Sequence, residues 1–397
     1  MQQRTGDQQL VKEINTSIVL ETVMRKQPVS RAGISELTGL NKGTVSSLVQ
    51  LLMDRQLVFE TGAGQSSGGR RPVMLEFNSY AGYAIGIDLG VRDMLLVAVD
   101  LHGGIVLERR SPVRANDFAG VCAAIGAAVR AAVAELPPSP YGVTGIGIGV
   151  PGMVDESGEV LFAPNLQWTN VPLLAELQTM LPEYPLFIDN EANAGAIGEK
   201  QFGGGQQAAN LLYISVGTGI GAGVIIGNKL YKGTSGVSGE TGHMSIYADG
   251  KLCKCGNRGC WELYASEQAL LDLLEPAPGC PAPSLDDIVA LARGGDERAA
   301  AALRECGRHL GVGIASLINI FNPDQVIIGN RVTIAQPWLA GAVAGTVGGR
   351  TLSYHLGRAK VSFSRLNAYS TALGAAYTAI ASFIRRSAAV DGLSSAR

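Results

Sequence analysis

Near the start of the chain, apolar residues recur at three- and four-residue steps: Leu10, Ile14, Ile18, Val19 and Val23, stopping near Pro28. That period predicts an amphipathic helix. Ser30 is placed to cap a second helix, with Ile34 and Leu37 facing inward and Gly39 ending it. Asn41 is placed to cap a third, whose apolar face is Val45, Leu48, Val49 and Leu52. The tight Gly39-Leu40 connection makes the second and third helices a helix-turn-helix. Leu57–Glu60 then reads as a short strand, residues 62–69 as a glycine- and serine-rich tip, and Val73–Phe77 as a returning strand. Two strands around such a tip make a wing, so residues 1–80 are expected to form a winged helix-turn-helix.

From Tyr83 the pattern changes. Residues 84–89 form a buried strand that Met94–Val99 joins as a hairpin, Phe118–Ala134 is an alanine-rich helix, and Val143–Val150 is another buried strand ending at Pro151-Gly152. A second set begins with strand Leu211–Val216, a glycine turn at 217–221 and strand Ala222–Ile226. The repeated order of strand, turn, strand, helix and strand predicts two related α/β lobes with a cleft between them. The lobes are expected to span residues 81–190 and 191–397, the second with the C-terminal helix.

Length and charge narrow the picture. With 397 residues, two or three domains are expected, and 46% apolar residues suffice for large cores. The net charge of −2 excludes a polyelectrolyte. Residues 1–80 carry 9 Lys+Arg against 7 Asp+Glu, so any nucleic-acid contact is local. The first nine residues are polar, unlike a signal peptide, and no apolar run is long enough for a membrane span. A cytoplasmic location is therefore expected.

Candidate DNA contacts lie at the start of the third helix, the end that enters a major groove in such folds. Asn41, Lys42, Thr44, Ser46 and Ser47 offer short donors and acceptors and one cation. Arg70 and Arg71, beside the flexible tip, are candidates for a narrow groove.

A tighter constellation follows later. His243 precedes Cys253, Cys255 and Cys260, a H-x9-C-x-C-x4-C pattern. Three sulfurs and one imidazole complete a tetrahedral zinc site with no open position, hence a structural one. It is flanked by Glu240 and Glu262, so an ion would pin both carboxylates. Cys122, Cys280 and Cys306 are scattered and expected to be inert.

Gly239-Glu240-Thr241-Gly242-His243, followed by Cys253-Lys254-Cys255-Gly256-Asn257-Arg258-Gly259-Cys260-Trp261-Glu262, resembles the signature of the ROK family (repressor, open reading frame, kinase). The glycine-rich run 216–226 with Gly233, Gly236 and Gly239 resembles the family's second signature, and the resemblance spans roughly residues 10–385. The runs 37–49 and 66–73 are similar to the family's xylose-responsive repressors. The resemblance implies an actin-like, sugar-kinase-type domain of two lobes behind the winged helix, with sugar held between the lobes. It implies sugar contacts at Asn165, Asn190, Glu191, Glu240, His243 and Glu262. These amides and carboxylates suit vicinal hydroxyls. Taken singly, Asn165 could only close a turn, Asn190-Glu191 only cap a helix, and Glu262 only brace the metal. Operator DNA, xylose as releasing effector, and a homodimer or dimer of dimers are the implied partners.

Family kinases open with Asp-x-Gly-Gly-Thr, whose bare backbone approaches nucleotide phosphates. Here Asp88-Leu89-Gly90-Val91-Arg92 stands in its place, and Glu191 replaces the aspartate that serves those kinases as general base. Both departures predict recognition without phosphoryl transfer. The alternatives are an active sugar kinase, or a repressor answering glucose or a sugar phosphate.

Overall fold

The computed structural model describes residues 8–63, 71–113, 117–274 and 283–389. The N-terminal head comprises α1 (Gln8–Lys26), β1 (Val29–Ser30), α2 (Arg31–Thr38), α3 (Lys42–Asp54), β2 (Val58–Ala63) and β3 (Val73–Phe77). Ser30 caps α2 by accepting from Gly33 N, Gly39 ends it at φ 73°, and Asn41 caps α3 by accepting from Thr44 N. β2 and β3 pair antiparallel with a bulge between Glu60 and Gly62, and β1 adds to the other edge of β3. This is the winged helix-turn-helix, with most of the wing tip and Arg70 outside the described residues.

Two details of the head differ from the periodicity. Leu37 is 57% exposed, not inward, because Ile34 alone of α2 reaches the core. On α1 the packed face is Thr16, Val19, Leu20 and Val23, while Ile14 and Ile18 join Val11 on an exposed stripe. Leu20 and Thr16 complete the buried face, and Thr16 satisfies its hydroxyl on Lys12 O at 2.7 Å.

The first lobe follows as β4 (Tyr83–Leu89), β5 (Asp93–Asp100), β6 (Ile105–Pro112), α4 (Phe118–Glu135), β7 (Val143–Val150), β8 (Met153–Val154), β9 (Val160–Ala163), β10 (Trp168–Val171), α5 (Leu173–Met180) and β11 (Leu186–Asn190). Helix α6 (Glu191–Gln201) then leads into the second lobe: β12 (Leu211–Val216), β13 (Ile220–Ile226), β14 (Lys229–Leu230), α7 (Glu262–Ala265), α8 (Glu267–Leu273), α9 (Leu285–Arg293), α10 (Glu297–Phe321), β15 (Gln325–Gly329), α11 (Gln336–Arg350) and β16 (Lys360–Phe363). The chain ends its described course in α12 (Ser370–Ala388).

The two main sheets share one design. The first has strand order β11-β7-β4-β5-β6 and the second β16-β15-β12-β13-β14. In each, an antiparallel hairpin and a further edge strand lie on one side of the first strand, and two parallel strands lie on the other. The inner strands are buried on both faces and read as continuous apolar runs, as sheets covered by helices do. α4 is long and apolar enough to cross a membrane by composition, yet its buried side chains belong to the first lobe's core.

Sequence order places α12 after the second lobe, but in space it packs on the first sheet, against β4, β5, β7 and β11, and against α6. Glycines make the seat. A Cβ on Gly86 would lie 1.9 Å from Ala372 O, and one on Gly147 2.0 Å from Ala375 O. The head shares this core: Val19, Leu20 and Val23 belong to one apolar cluster with Leu95, Val97, Ala376, Ile380, Phe383 and Ile384.

Candidate functional site

A cavity of about 360 Å³ opens between the lobes at the C-terminal ends of β4, β7, β11 and β12. Strand ends are where open α/β sheets expose side chains without breaking their ladders. Asn165, Asn190, Glu191, Glu240, His243 and Glu262 all line it, so residues up to about a hundred positions apart are brought together.

Asn165, in the turn between β9 and β10, has no protein hydrogen-bond partner among the described residues. Asn190 is more committed. Its Oδ1 accepts from Ala192 N and Asn193 N, capping α6, and its Nδ2 donates to Gly152 O at 2.8 Å. One N–H of that amide remains for a ligand. The capping role named for Asn190 is thus real and coexists with a place on the cavity wall.

Glu191 Oε1 accepts from Ser215 Oγ at 3.1 Å, and Asn330 Nδ2 donates to the same hydroxyl at 3.0 Å. Burial raises the Glu191 carboxyl above its ordinary value, against the Ser215 hydrogen bond, with Glu240 adding to the rise. Burial also pushes Asp88, at the end of β4, well above the carboxylate range, with Glu191 and Asp93 adding and Arg110 opposing. Glu240 is raised by burial too, His243 pulling it down and Glu262 pushing it up. Six carboxyl groups line the cavity, from Asp88, Asp93, Glu191, Glu240, Glu262 and Glu267, and they offer acceptors to hydroxyls.

A carboxyl raised in the folded chain holds its proton more tightly there than in the unfolded one. Its stabilising contribution is complete below the unfolded value, about pH 4.3 for Glu, and is lost as pH rises through the folded value. Glu191→Gln is therefore expected to melt above the wild type at pH 7 and to lose that advantage near pH 4. Thermal melts across this range check it; an advantage that did not shrink on acidification would contradict the assignment.

The loop carrying Glu240 and His243 is held by backbone contact. A Cβ on Gly242 would lie 2.1 Å from Ile220 O, so only glycine lets this short 3-10 turn (Thr241–His243) lie against β13. His243 Nδ1 then faces Cys253 Sγ at 3.7 Å and Glu262 Oε1 at 3.4 Å, while Nε2 faces Glu240 Oε2 at 3.9 Å.

Ligand atoms of His243, Cys253, Cys255 and Cys260 all lie within 4.8 Å of one another. Cys255 and Cys260 Sγ are 3.7 Å apart. Tetrahedral zinc with Zn–S bonds of about 2.3 Å sets sulfurs about 3.8 Å apart, so the donor set fits that ion. Burial pushes the Cys253 thiol up to about 12, which a bound cation would reverse. Trp261, fully buried, fastens the loop to α10 by donating from Nε1 to His309 O at 2.9 Å. Cys122 and Cys306 are buried, their thiols raised to about 11 and about 12, which suits inert side chains. Cys280 lies outside the described residues.

On the head, Lys42, Ser46 and Ser47 are exposed along α3, Thr44 is half-buried, and Asn41 commits its side-chain oxygen to the cap. Arg71 is exposed at the base of the wing.

Other groups at the cleft escaped the sequence reading. Asp88, noted in the sequence only as the first residue of the altered phosphate motif and not as a cleft group, carries a further signal as an acid in an otherwise apolar strand. Ser215 and Asn330 carry none. Lys232 Nζ meets Asp189 Oδ2 at 2.7 Å, joining the second lobe to the first beside Asn190, and only the folded chain pairs them.

Fold and site together define a two-lobed sugar-kinase-type domain carrying a winged helix-turn-helix and a Cys3His loop. The chain belongs to the ROK family, whose model matches residues 84–382. It is 45% identical over 348 residues to the xylose repressor of Bacillus subtilis (strain 168), covering 88% of this chain and 90% of that one. It is 29% identical over 384 residues to the N-acetylglucosamine repressor of Escherichia coli O6:H1, covering 94% of each. Among solved structures, a ROK family transcriptional regulator, a homologue of the E. coli MLC protein, matches with a TM-score of 0.80 at 29% identity, over 96% of this chain and 98% of that one. A ROK family glucokinase from Streptomyces griseus, solved with glucose and AMPPNP, matches with a TM-score of 0.68 at 33% identity, over 74% of this chain and 98% of that one.

Proposed function

We propose that this chain is a sugar-responsive transcriptional repressor, that xylose is its effector, and that it performs no phosphoryl transfer. The observation that carries this reading is the joining of a polyol-suited cavity to a winged helix through one continuous core. Likeness to xylose repressors over nearly the whole chain supports the choice of sugar.

In this reading Asn165, Asn190, Glu191, Glu240, His243 and Glu262 pair with sugar hydroxyls. His243, Cys253, Cys255 and Cys260 would hold a structural zinc, which supplies charge to keep the thiolates and to orient the imidazole. His243 would hold the ion with Nδ1, the nitrogen that faces Cys253, which would leave Nε2, on the Glu240 side, for a ligand hydroxyl. Two copies would place Asn41, Lys42, Thr44, Ser46 and Ser47 in successive half-sites, with Arg70 and Arg71 at the flanking grooves. Such a repressor works in the cytoplasm, where the operator is.

The kinase reading rests on the likeness to solved sugar kinases. Two features of the cleft oppose it. In the β4–β5 turn, closed by Gly90 N donating to Asp93 O at 2.9 Å, Val91 and Arg92 line the cavity at the positions where the family's kinases carry glycine and threonine, so the backbone there is no longer bare. Glu191 is one methylene longer than the base it replaces, and a displacement of about 1 Å at a reacting group costs on the order of 100-fold in rate.

A sugar that prefers the non-binding geometry by about 1–3 kcal/mol weakens operator affinity roughly 5- to 150-fold. Gel shifts on the upstream regions of neighbouring sugar-catabolism genes should show this loss with xylose. Failure to retain specific duplex under any effector condition would sink the repressor reading. Xylose-dependent ADP release at about 1 s⁻¹ or faster would establish the kinase instead.

A further inference from the structure

We propose that α12 is the rod through which occupancy of the cleft acts on the DNA-binding head, and that Thr371 is the residue that positions it; the inference rests on the repressor reading above. Both ends of the helix are fastened to functional parts. At its start, buried Thr371 donates from Oγ1 to the backbone carbonyl of Glu191 at 3.1 Å, and Glu191 presents its carboxyl to the cavity. Thr371 also fills the space above β7, since a Cβ on Gly149 would lie 2.4 Å from its Cγ2. At its end, the carbonyls of Ser387 and Ala389 accept from the Arg55 guanidinium, and Arg55 caps the C-terminus of α3, the helix that carries Lys42, Ser46 and Ser47. Tyr141 closes this joint, donating to Arg55 O at 2.8 Å while its ring packs edge-on against Phe383.

Between the ends the helix has little freedom. A Cβ on Gly374 would lie 1.7 Å from Ala194 O, and one on Gly198 2.1 Å from Ser370 O, so α6 and α12 touch backbone to backbone and move as a pair. Fully buried Glu199 of α6 accepts from Ser370 Oγ at 2.8 Å and from Ser364 Oγ. Glu199 therefore clamps together the two segments that connect the lobes: α6 on the way out, and residues 364–370 on the way back. Farther along, Ala376, Ile380, Phe383 and Ile384 share one apolar cluster with Val19, Leu20 and Val23 of α1.

A helix of 19 residues is about 28 Å long at 1.5 Å per residue. Close-packed interiors transmit displacement and do not absorb it. A small shift of Glu191 on ligation, taken up by Thr371 at one end of the rod, becomes a shift of α3 at the other.

The test uses the full-length protein, with xylose affinity measured by calorimetry and operator affinity by fluorescence anisotropy, without and with saturating xylose. Thr371→Val keeps the shape and removes the donor. It is expected to hold xylose affinity and sugar-free operator affinity within about threefold of wild type, under 1 kcal/mol, while the xylose-induced loss of operator affinity shrinks at least about fivefold. Thr371→Ser, which restores the hydroxyl, should restore the response. Arg55→Met, at the opposite end of the rod, should shrink it likewise. Thr378→Val serves as control, because among the described residues that hydroxyl bonds only within α12, to Gly374 O at 3.1 Å. A wild-type response left intact by Thr371→Val and Arg55→Met overturns the rod. So does an equal loss in Thr378→Val, which would mark mere disturbance of the helix. A wild type that binds operator but ignores xylose overturns the effector assignment, and the rod with it.

Discussion

Glu240→Ala should weaken xylose binding about 10- to 150-fold and leave sugar-free operator binding near wild type. The range corresponds to losing one hydrogen-bonded charged group, about 1.5–3 kcal/mol. The side chain sits on the cavity wall, on a loop held against β13 by backbone contact, and none of its described partners belongs to the head. Burial is the main cause that raises its carboxyl, ahead of the attraction to His243 and the repulsion with Glu262, so removing it removes a desolvation cost and the apoprotein should not lose stability. Calorimetry and gel shifts give the two numbers. A variant still released from operator at the wild-type xylose concentration would contradict the assignment of the cleft.

The second large effect concerns the metal loop. Cys255→Ser should reduce metal content from one ion per chain to none, measured by elemental analysis of purified protein. Cys255 is the exposed member of the set, whereas Cys253 and Cys260 are buried. Its replacement opens no core cavity, so a fall in stability reports the ion itself. That fall is expected to reach about 3 kcal/mol or more, roughly 5–10 °C in melting temperature for a domain of this size. Xylose affinity should fall with it, because His243 and Glu262 belong to both the loop and the cavity wall. Unchanged metal content would remove Cys255 from the ligand set.

How much of this was readable before the fold was known follows from the range of each interaction. Ser30, Gly39 and Asn41 were identifiable as helix ends because a cap closes its hydrogen bond within three or four residues. Strands Val73–Phe77, Val143–Val150 and Leu211–Val216 appear with the bounds expected, since each is a short run dominated by large apolar and β-branched residues. β6 was missed, as an edge strand with most of its residues at least partly exposed carries no such run. Leu37 shows the opposite failure: an apolar residue in helical register that the fold leaves in solvent.

By itself the amino-acid sequence determined the local features: the caps, the wing strands, the duplicated strand pattern and four metal-type donors within eighteen positions. Only the tertiary structure decided the rest. It set α12 across the first sheet, spent most of Asn190 on a cap, and brought Asp88, Ser215, Asn330 and Lys232 to the cleft. The division has one physical cause. Bonds that close within a few residues depend on residue type and spacing, which a sequence states outright. A partner more than a hundred positions away is chosen by how helices pack on sheets, and that choice turns on which glycines let two backbones touch.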